Sequence, residues 1–458
     1  MLLRCLLFTA ALAAALLSPV ATFAVTPRVA TRVFFQDDDA RTLKWADVSV
    51  GDAVTLGSVS EIDGFPKLDA GRQALVQMAA ASGLLLVGVR DDDDGAFQSG
   101  WVLVDTGVEE EEHGDHSHWR YPRPPRVRAM QLDDQQGNPA HLYCYDGVFY
   151  LANDRKNGFT RLDPQRIKPA DDAAGIRQQA RFIPGGGGHI TLAVTNRSLG
   201  LATWIDGDGP NKGRVDISVI SPNGSAAIAG SIHLPHGGLH GATACQGKAF
   251  FAPADGVCWI DTGTTPVVDP KQVTIHHLSL GKVNDKPLRT GAFQTFGRHV
   301  AFTTGAGPHT AVCFADASRP QIELIRVPLA MAEGNRAVGP YLVQPRKGSP
   351  LGFVFHDHPA GVDAPNRLTI LELDPNGDGQ WSDAKTAMDL DVGKSRVEGH
   401  SGHHHLDFDA DRRRGVFSNP GDGTLVVFSL DDRKPVAELS VGGAPTKIVA
   451  VGGRASAH

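Results

Sequence analysis

Apolar and polar positions along this chain fall into short runs, and helical stripes spaced by three and four residues are scarce. LLLVGVR at 84–90, WVLVD at 101–105, VDISVIS at 215–221, HVAFTT at 299–304, RLTILELD at 367–374 and TLVVFSLD at 424–431 are each bounded by turn-forming residues. Runs of this length between Gly, Asp, Asn and Pro predict β-strands, buried on both faces where the run is continuous and on one face where it alternates. A unit returns roughly every 40 to 55 residues: a small-residue strand, a turn, a strongly apolar strand, a turn, a strand ending in Asp or its equivalent, and a polar outer strand. GHITLAVTNRSLGLATWIDGD at 188–208, LHGATACQGKAFFAPADGVCWIDTG at 239–263 and GHHHLDFDADRRRGVFSNPGDGTLVVFSLDD from 402 share this shape.

Four short strands per repeat predict an all-β fold, a β-propeller of about eight four-stranded blades. Seven blades with long insertions is the alternative count, and a pair of β-sandwiches is the runner-up fold. The first unit, RVFFQDDDARTLKWADVSV, lacks an inner strand. The C-terminal APTKIVAVGG can supply it, closing the ring and removing an open sheet edge. No linker-like composition divides residues 25–458, so one domain is expected there.

The first 24 residues carry one early Arg, an apolar run and small residues up to Ala24, the form of a secretory signal peptide. The run falls short of the ~20 residues that a span needs, and no later segment reaches that length, so stable membrane insertion is not expected. A net charge of -7 argues against a nucleic-acid partner. Cys144, Cys245, Cys258 and Cys313 follow the signal without a CxxC pair, so a thiolate zinc site is not expected. Cys245 and Cys258 could bridge adjacent strands or remain free.

The 19 histidines carry the candidate chemistry. EEEEHGDHSHW at 109–119 gathers four carboxylates with His113, His116 and His118, and Asp115 lies among them. Neutral imidazole suits zinc, copper or nickel, and nearby carboxylates favour a divalent cation. Gly114, Ser117 and the following YPRPP make this a loop between strands. A second set is dispersed: His189, His240, and His403 to His405 each follow glycines at the start of an inner strand. Inner-strand ends converge on the mouth of a propeller channel. His189, His240 and one of His404 or His405 are therefore expected to meet at one zinc ion, His404 by preference because consecutive strand residues point to opposite faces. The competing reading of each is a histidine that satisfies local backbone groups.

His233 and His236 can support His240 from behind, and His356 and His358 read as a polar loop. DPNGDGQWSD from Asp374 opens like a calcium loop but has Lys385 where the twelfth-position Glu belongs, which favours an Asx-rich turn. Nucleophile-elbow, metalloprotease, P-loop, dinucleotide and haem signatures are all missing.

The HGDHSH loop, LHGATA followed by AFFAPADGVCWID, and GHHHLDFD resemble the AztD-type periplasmic zinc metallochaperones over most of residues 30–445. That resemblance implies a periplasmic, monomeric, non-catalytic zinc carrier that passes zinc to the solute-binding protein of a zinc ABC importer. It implies flap ligands at His113, His116 and His118, and a principal site at His189, His240 and His404 or His405. The Arg412–Arg414 run lies in an insertion absent from the family pattern and bears on the partner surface. The alternative function is a metal-dependent, lactonase-like propeller hydrolase. A flexible flap is expected to cover or uncover the rigid site.

Overall fold

The computed structural model describes residues 26–91, 98–114, 116–221, 225–263 and 269–456. The expected signal peptide lies outside them. Eight antiparallel sheets follow one another along the chain. Blade 1 joins Arg28–Asp37, Thr42–Val50 and Val54–Leu56 to the C-terminal strand Pro445–Val451. Blades 3 to 8 each take four consecutive strands and blade 2 takes Gln73–Ala81, Leu84–Asp91, Ser99–Asp105 and Arg126–Asp133; the inner strands of blades 2 to 8 are Gln73–Ala81, Pro139–Tyr145, Leu192–Thr195, Ala242–Cys245, Gln294–Phe296, Arg336–Val343 and Leu406–Phe408. Eight blades are therefore present, and neither the seven-blade count nor the sandwich pair is observed.

The continuous apolar runs are explained by burial on both faces. In blade 2, Leu85, Val87 and Val89 pack against Phe34 and Leu43 of blade 1. Their neighbours Leu84 and Leu86 pack against Phe149 and Leu151 of blade 3. Period-two alternation thus sends one strand's side chains into two different seams. The same division recurs around the ring, with one buried cluster between each pair of adjacent blades. Each fully buried Val, Leu or Phe contributes about 1.5–3 kcal/mol, so the ring is held by its seams.

The turn after the inner strand is often X-Gly with both residues at positive φ: Ser82-Gly83, Asp146-Gly147 and Gln246-Gly247. This geometry matches the strand twist and needs Gly at its second position.

Ring closure follows the expected exchange of termini. Val33 pairs with Ala450 and Phe35 with Ile448. Asp37 clamps the junction, taking the Ala444 amide at 3.0 Å and the Lys44 ammonium at 2.6 Å. Burial pushes the Asp37 carboxyl up, but Lys44 and the amides outweigh it and hold it below its ordinary value.

All inner strands run from the same face of the ring. The loop between third and fourth strands lies at the opposite face, where inner strands end. In blade 2 that loop carries a small hairpin, Glu109–Glu112 with Ser117–Arg120. Among the described residues no helix is long and apolar enough to cross a membrane. Cys144, Cys245, Cys258 and Cys313 are free thiols.

Candidate metal centre

At the face where inner strands begin, His189 and His240 come together, and His141 joins them. The His141 Nε2 and His189 Nε2 atoms are 2.9 Å apart. The His189 and His240 ring centres are separated by 5.0 Å, and those of His141 and His240 by 6.2 Å. The three rings line a cavity of about 560 Å³ with His400, His403, Arg90 and Lys447. His189 and His240 precede their inner strands, whereas His141 is the third residue of its own.

Two of the rings are oriented from behind. Asp154, itself buried, places Oδ2 at 3.2 Å from His189 Nδ1 and Oδ1 at 3.0 Å from the Ile190 amide. The Gly291 carbonyl sits 3.3 Å from His240 Nδ1. Both partners are acceptors, so both rings carry their proton on Nδ1 and turn a lone pair on Nε2 into the cavity. His141 then donates its Nε2 proton to His189. Burial, and after it the neighbouring His189 and His240, pushes His141 down to about 3. Burial also lowers His240. His141 and His240 are therefore neutral imidazoles near pH 7. Burial pushes Lys447 below its ordinary value as well.

The third expected ligand is corrected by the geometry. His404 is fully buried, with Nδ1 at 2.6 Å from Asp357 Oδ1 and Nε2 at 3.2 Å from the Gly393 carbonyl. Both ring nitrogens face oxygen acceptors, and neither offers a lone pair to a metal. His405 accepts the Ile448 amide at Nδ1, 3.2 Å away, and meets the Tyr341 ring edge-on. Neither reaches His189 or His240. The member of this run that faces the cavity is His403, whose Nδ1 lies 2.9 Å from Asp357 Oδ2. The strand begins only at Leu406, so strand alternation does not govern residues 403–405.

His113, His116 and His118 gather at the tip of the hairpin. His116 Nε2 and His118 Nε2 are 3.1 Å apart, and the His113 and His118 ring centres 4.6 Å. Glu111 approaches His113 Nε2 at 3.5 Å. Asp115 lies outside the described residues. The hairpin is tied to the chain end: His118 Nδ1 meets Ser456 Oγ at 2.9 Å, and the Tyr121 hydroxyl donates to the Gly453 carbonyl at 2.6 Å. It therefore sits where the ring-closing strand finishes, whereas Thr446 and Lys447 at the start of that strand line the histidine cavity. The expectation that the flap covers the principal site is overturned. The two histidine groups occupy opposite faces.

The remaining histidines separate from both groups. His236 and His277 both approach Asp255 Oδ2, at 3.1 and 3.3 Å, so His236 does not support His240. His356 is buried against Thr369, and His358 bonds Asn335 and the Pro365 carbonyl.

Neutral imidazole sets suit zinc, and the cavity fits with a small adjustment. Two nitrogens on one tetrahedral zinc, each ~2.0–2.1 Å from it, stand about 3.3–3.4 Å apart. The His141–His189 pair would open by a few tenths of an ångström to admit zinc, with His141 then carrying its proton on Nδ1 instead of Nε2. Among the described residues no group of three or more His, Cys, Asp or Glu side chains is a ready-made metal cage.

His141 was missed because Pro139 and Ala140, not glycines, precede it. Counting back from the Asp146-Gly147 turn exposes it, since His240 stands six residues before Gln246-Gly247 and His141 five before its own turn.

The fold and site together define an eight-bladed β-propeller with an imidazole-lined channel mouth. Among solved structures, the chain is similar to AztD from Citrobacter koseri at a TM-score of 0.61 and 16% identity, covering 94% of this chain and 100% of that one. The apo form of the same protein gives 0.60 and 15%, covering 93% and 99%. Dihydro-heme d1 dehydrogenase NirN in complex with DHE gives 0.50 and 15%, covering 94% and 78%. At these identities the likeness is one of fold. No family model and no curated protein matches the chain.

Proposed function

We propose that this protein is an exported zinc carrier, in which zinc is cargo held at the channel mouth by His141, His189 and His240. The observation that carries the reading is the pair of Nε2 lone pairs directed into one cavity by Asp154 and the Gly291 carbonyl. Imidazole without thiolate favours exchange over permanent retention. The nearby cations Arg90 and Lys447 weaken the hold further, which suits a carrier that must give its metal up. The hairpin histidines form a second, more exposed capture group at the other face. The recipient, as the AztD-type resemblance implies, is the solute-binding protein of a zinc ABC importer. The carrier acts in the periplasm as a single-domain monomer without turnover.

Metal analysis after equilibrium dialysis tests this. The mature chain should retain zinc in preference to calcium or magnesium at the histidine groups. Alanine at His141, His189 and His240 should remove the tighter zinc, while alanine at His113, His116 and His118 should leave it and slow uptake or transfer. Zinc retention unchanged by the cavity variant overturns the assignment. Turnover of lactones or phosphoesters by the zinc-loaded chain would favour the hydrolase instead.

A further inference from the structure

We propose that the loop from Asp374 to Asp383 is a calcium site that braces the seam between blades 6 and 7. Asp374, Asn376 and Asp378 stand at positions one, three and five, with Gly379 at six, the spacing of an oxygen-ligand calcium loop. Lys385 at position twelve argued against the site in the sequence. The fold supplies a different closing carboxylate. Asp383 turns back into the loop, and its Oδ2 takes the Asn376 amide at 3.0 Å.

Two buried oxygens point to a missing cation. Asp374 is only 8% exposed. Its Oδ2 accepts the Gly379 amide at 2.9 Å, while Oδ1 is buried with no partner. Asp383 Oδ1 is buried without a partner as well. A buried carboxylate oxygen without a donor is costly and demands an ion or water. Among the described residues, no ion pair relieves Asp374, Asp378 or Asp383. The nearby Arg298 is held by Asp316 at 3.2 Å and donates to the Gly379 carbonyl. Arg319 also lies on Asp316, at 3.4 Å, and reaches the Gln380 amide oxygen at 3.3 Å. His299 does not neutralise the carboxylates, because burial pushes it down to about 4.

The chemistry selects a hard cation. Three carboxylates, the Asn376 amide oxygen and the Gln380 carbonyl are all oxygen donors, with waters to complete a shell of 6–8 at 2.3–2.6 Å. The carboxylates are not drawn around one point before binding, so the cation must close the loop. The consequence reaches the core through Trp381, which stacks on His299 of blade 6 at 3.7 Å and packs edge-on against Phe314. Arg298 and Arg319 hold the same loop from blade 6. Calcium would thus fix a blade 7 loop against its neighbour, independently of zinc.

The test uses the full mature chain with its histidine groups zinc-loaded. Terbium luminescence sensitised by Trp381 and displaced by calcium reads occupancy, and a thermal melt with and without calcium reads the brace. Without the bidentate Glu, a calcium Kd on the order of 10⁻⁴–10⁻³ M is expected, with a higher melting temperature when calcium is bound. Asp374→Asn should abolish both effects. Asp378→Asn, at an exposed position that keeps an acceptor for the Gln380 amide, should weaken calcium about tenfold or more without lowering the calcium-free melting temperature or the zinc content. No calcium response in the parent up to about 10 mM, an unchanged affinity in Asp378→Asn, or displacement of terbium by zinc as readily as by calcium overturns the proposal.

Discussion

Replacing Asp154 by Asn probes the zinc proposal through a residue that would not touch the metal. Asp154 accepts two N–H groups, from His189 at 3.2 Å and from Ile190 at 3.0 Å. Asn offers one oxygen and one NH₂ in the same plane, so one of those bonds becomes a donor facing a donor. If the NH₂ faces His189, the ring must give up its Nδ1 proton and protonate Nε2, which removes the lone pair that zinc needs. If it faces Ile190, the buried amide loses its acceptor and the loop carrying His189 shifts. Either outcome degrades a histidine oriented by its carboxylate, an effect worth about 10–100-fold in metal affinity, or about 1.4–2.7 kcal/mol. Competition with a chromophoric chelator near neutral pH measures it. His403, oriented by Asp357 rather than Asp154, provides the internal control: Asp357→Asn should alter the fold of residues 403–404 more than zinc affinity. Parent-like affinity in a folded Asp154→Asn chain would refute the orientation argument. Parent-like affinity in His189→Ala would refute the site itself.

Three further outcomes follow from the same geometry. His405 is pushed down to about 3 by burial from an ordinary 6.5, so the unfolded chain alone takes up its proton between those values. Its contribution is complete above pH 6.5 and is lost on acidification towards pH 3, at no more than about 1.4 kcal/mol per pH unit and less for its partial exposure. His405→Asn keeps an acceptor for the Ile448 amide and should flatten that slope in denaturant titrations across pH, whereas an unchanged slope would assign the acid loss elsewhere. Removing residues 441–458 strips blade 1 of its inner strand and Asp37 of the Ala444 amide, and should yield aggregated chain by size-exclusion chromatography; a soluble monomer with a parent-like melt would contradict the closure argument. Removing only 454–458 should leave the melt within a few degrees of the parent, because the closing strand remains, yet expose the 109–120 hairpin to faster proteolysis; equal protection would show that Ser456 does not anchor it.

The ring was legible because each apolar run has to serve two seams. Leu84 to Val89 cannot be half-exposed, and a strand buried on both faces needs a sheet on either side of it. Closure was legible as an arithmetic deficit, one missing inner strand at the start and one surplus strand at the end. The site was legible only where a histidine shared the glycine-rich approach to an inner strand, as His189 and His240 do. His141 escaped because its approach is Pro-Ala. The choice among His403, His404 and His405 rests on Asp357, which stands 46 to 48 residues earlier in the neighbouring blade. No local pattern reports that carboxylate. The Asx-rich turn from Asp374 was legible and is present, with Asn376 and Asp378 accepting the Asp378 and Gln380 amides, but the return of Asp383 onto the Asn376 amide is visible only in the folded turn.

The placement of the two histidine groups changes what a carrier of this shape can do. The closing strand passes from Lys447 at the cavity to Gly452 beside the hairpin, five steps of about 3.3 Å, or roughly 17 Å. Zinc held ~2.0–2.1 Å from each nitrogen cannot be shared across that gap, so ligand exchange between the groups cannot occur one imidazole at a time. Under the zinc proposal, capture at the hairpin and storage at the channel mouth would therefore load from separate faces, or exchange through a third party. One element they share is the strand Pro445–Val451, whose first residues wall the cavity and whose continuation through Gly453 and Ser456 holds the hairpin. Influence of one site on the other would act through the seating of that strand or of Gln73–Ala81, whose first half also walls the cavity and whose last residues lie on the hairpin side. It would then appear as a coupling between ring closure and zinc affinity, and not as direct transfer.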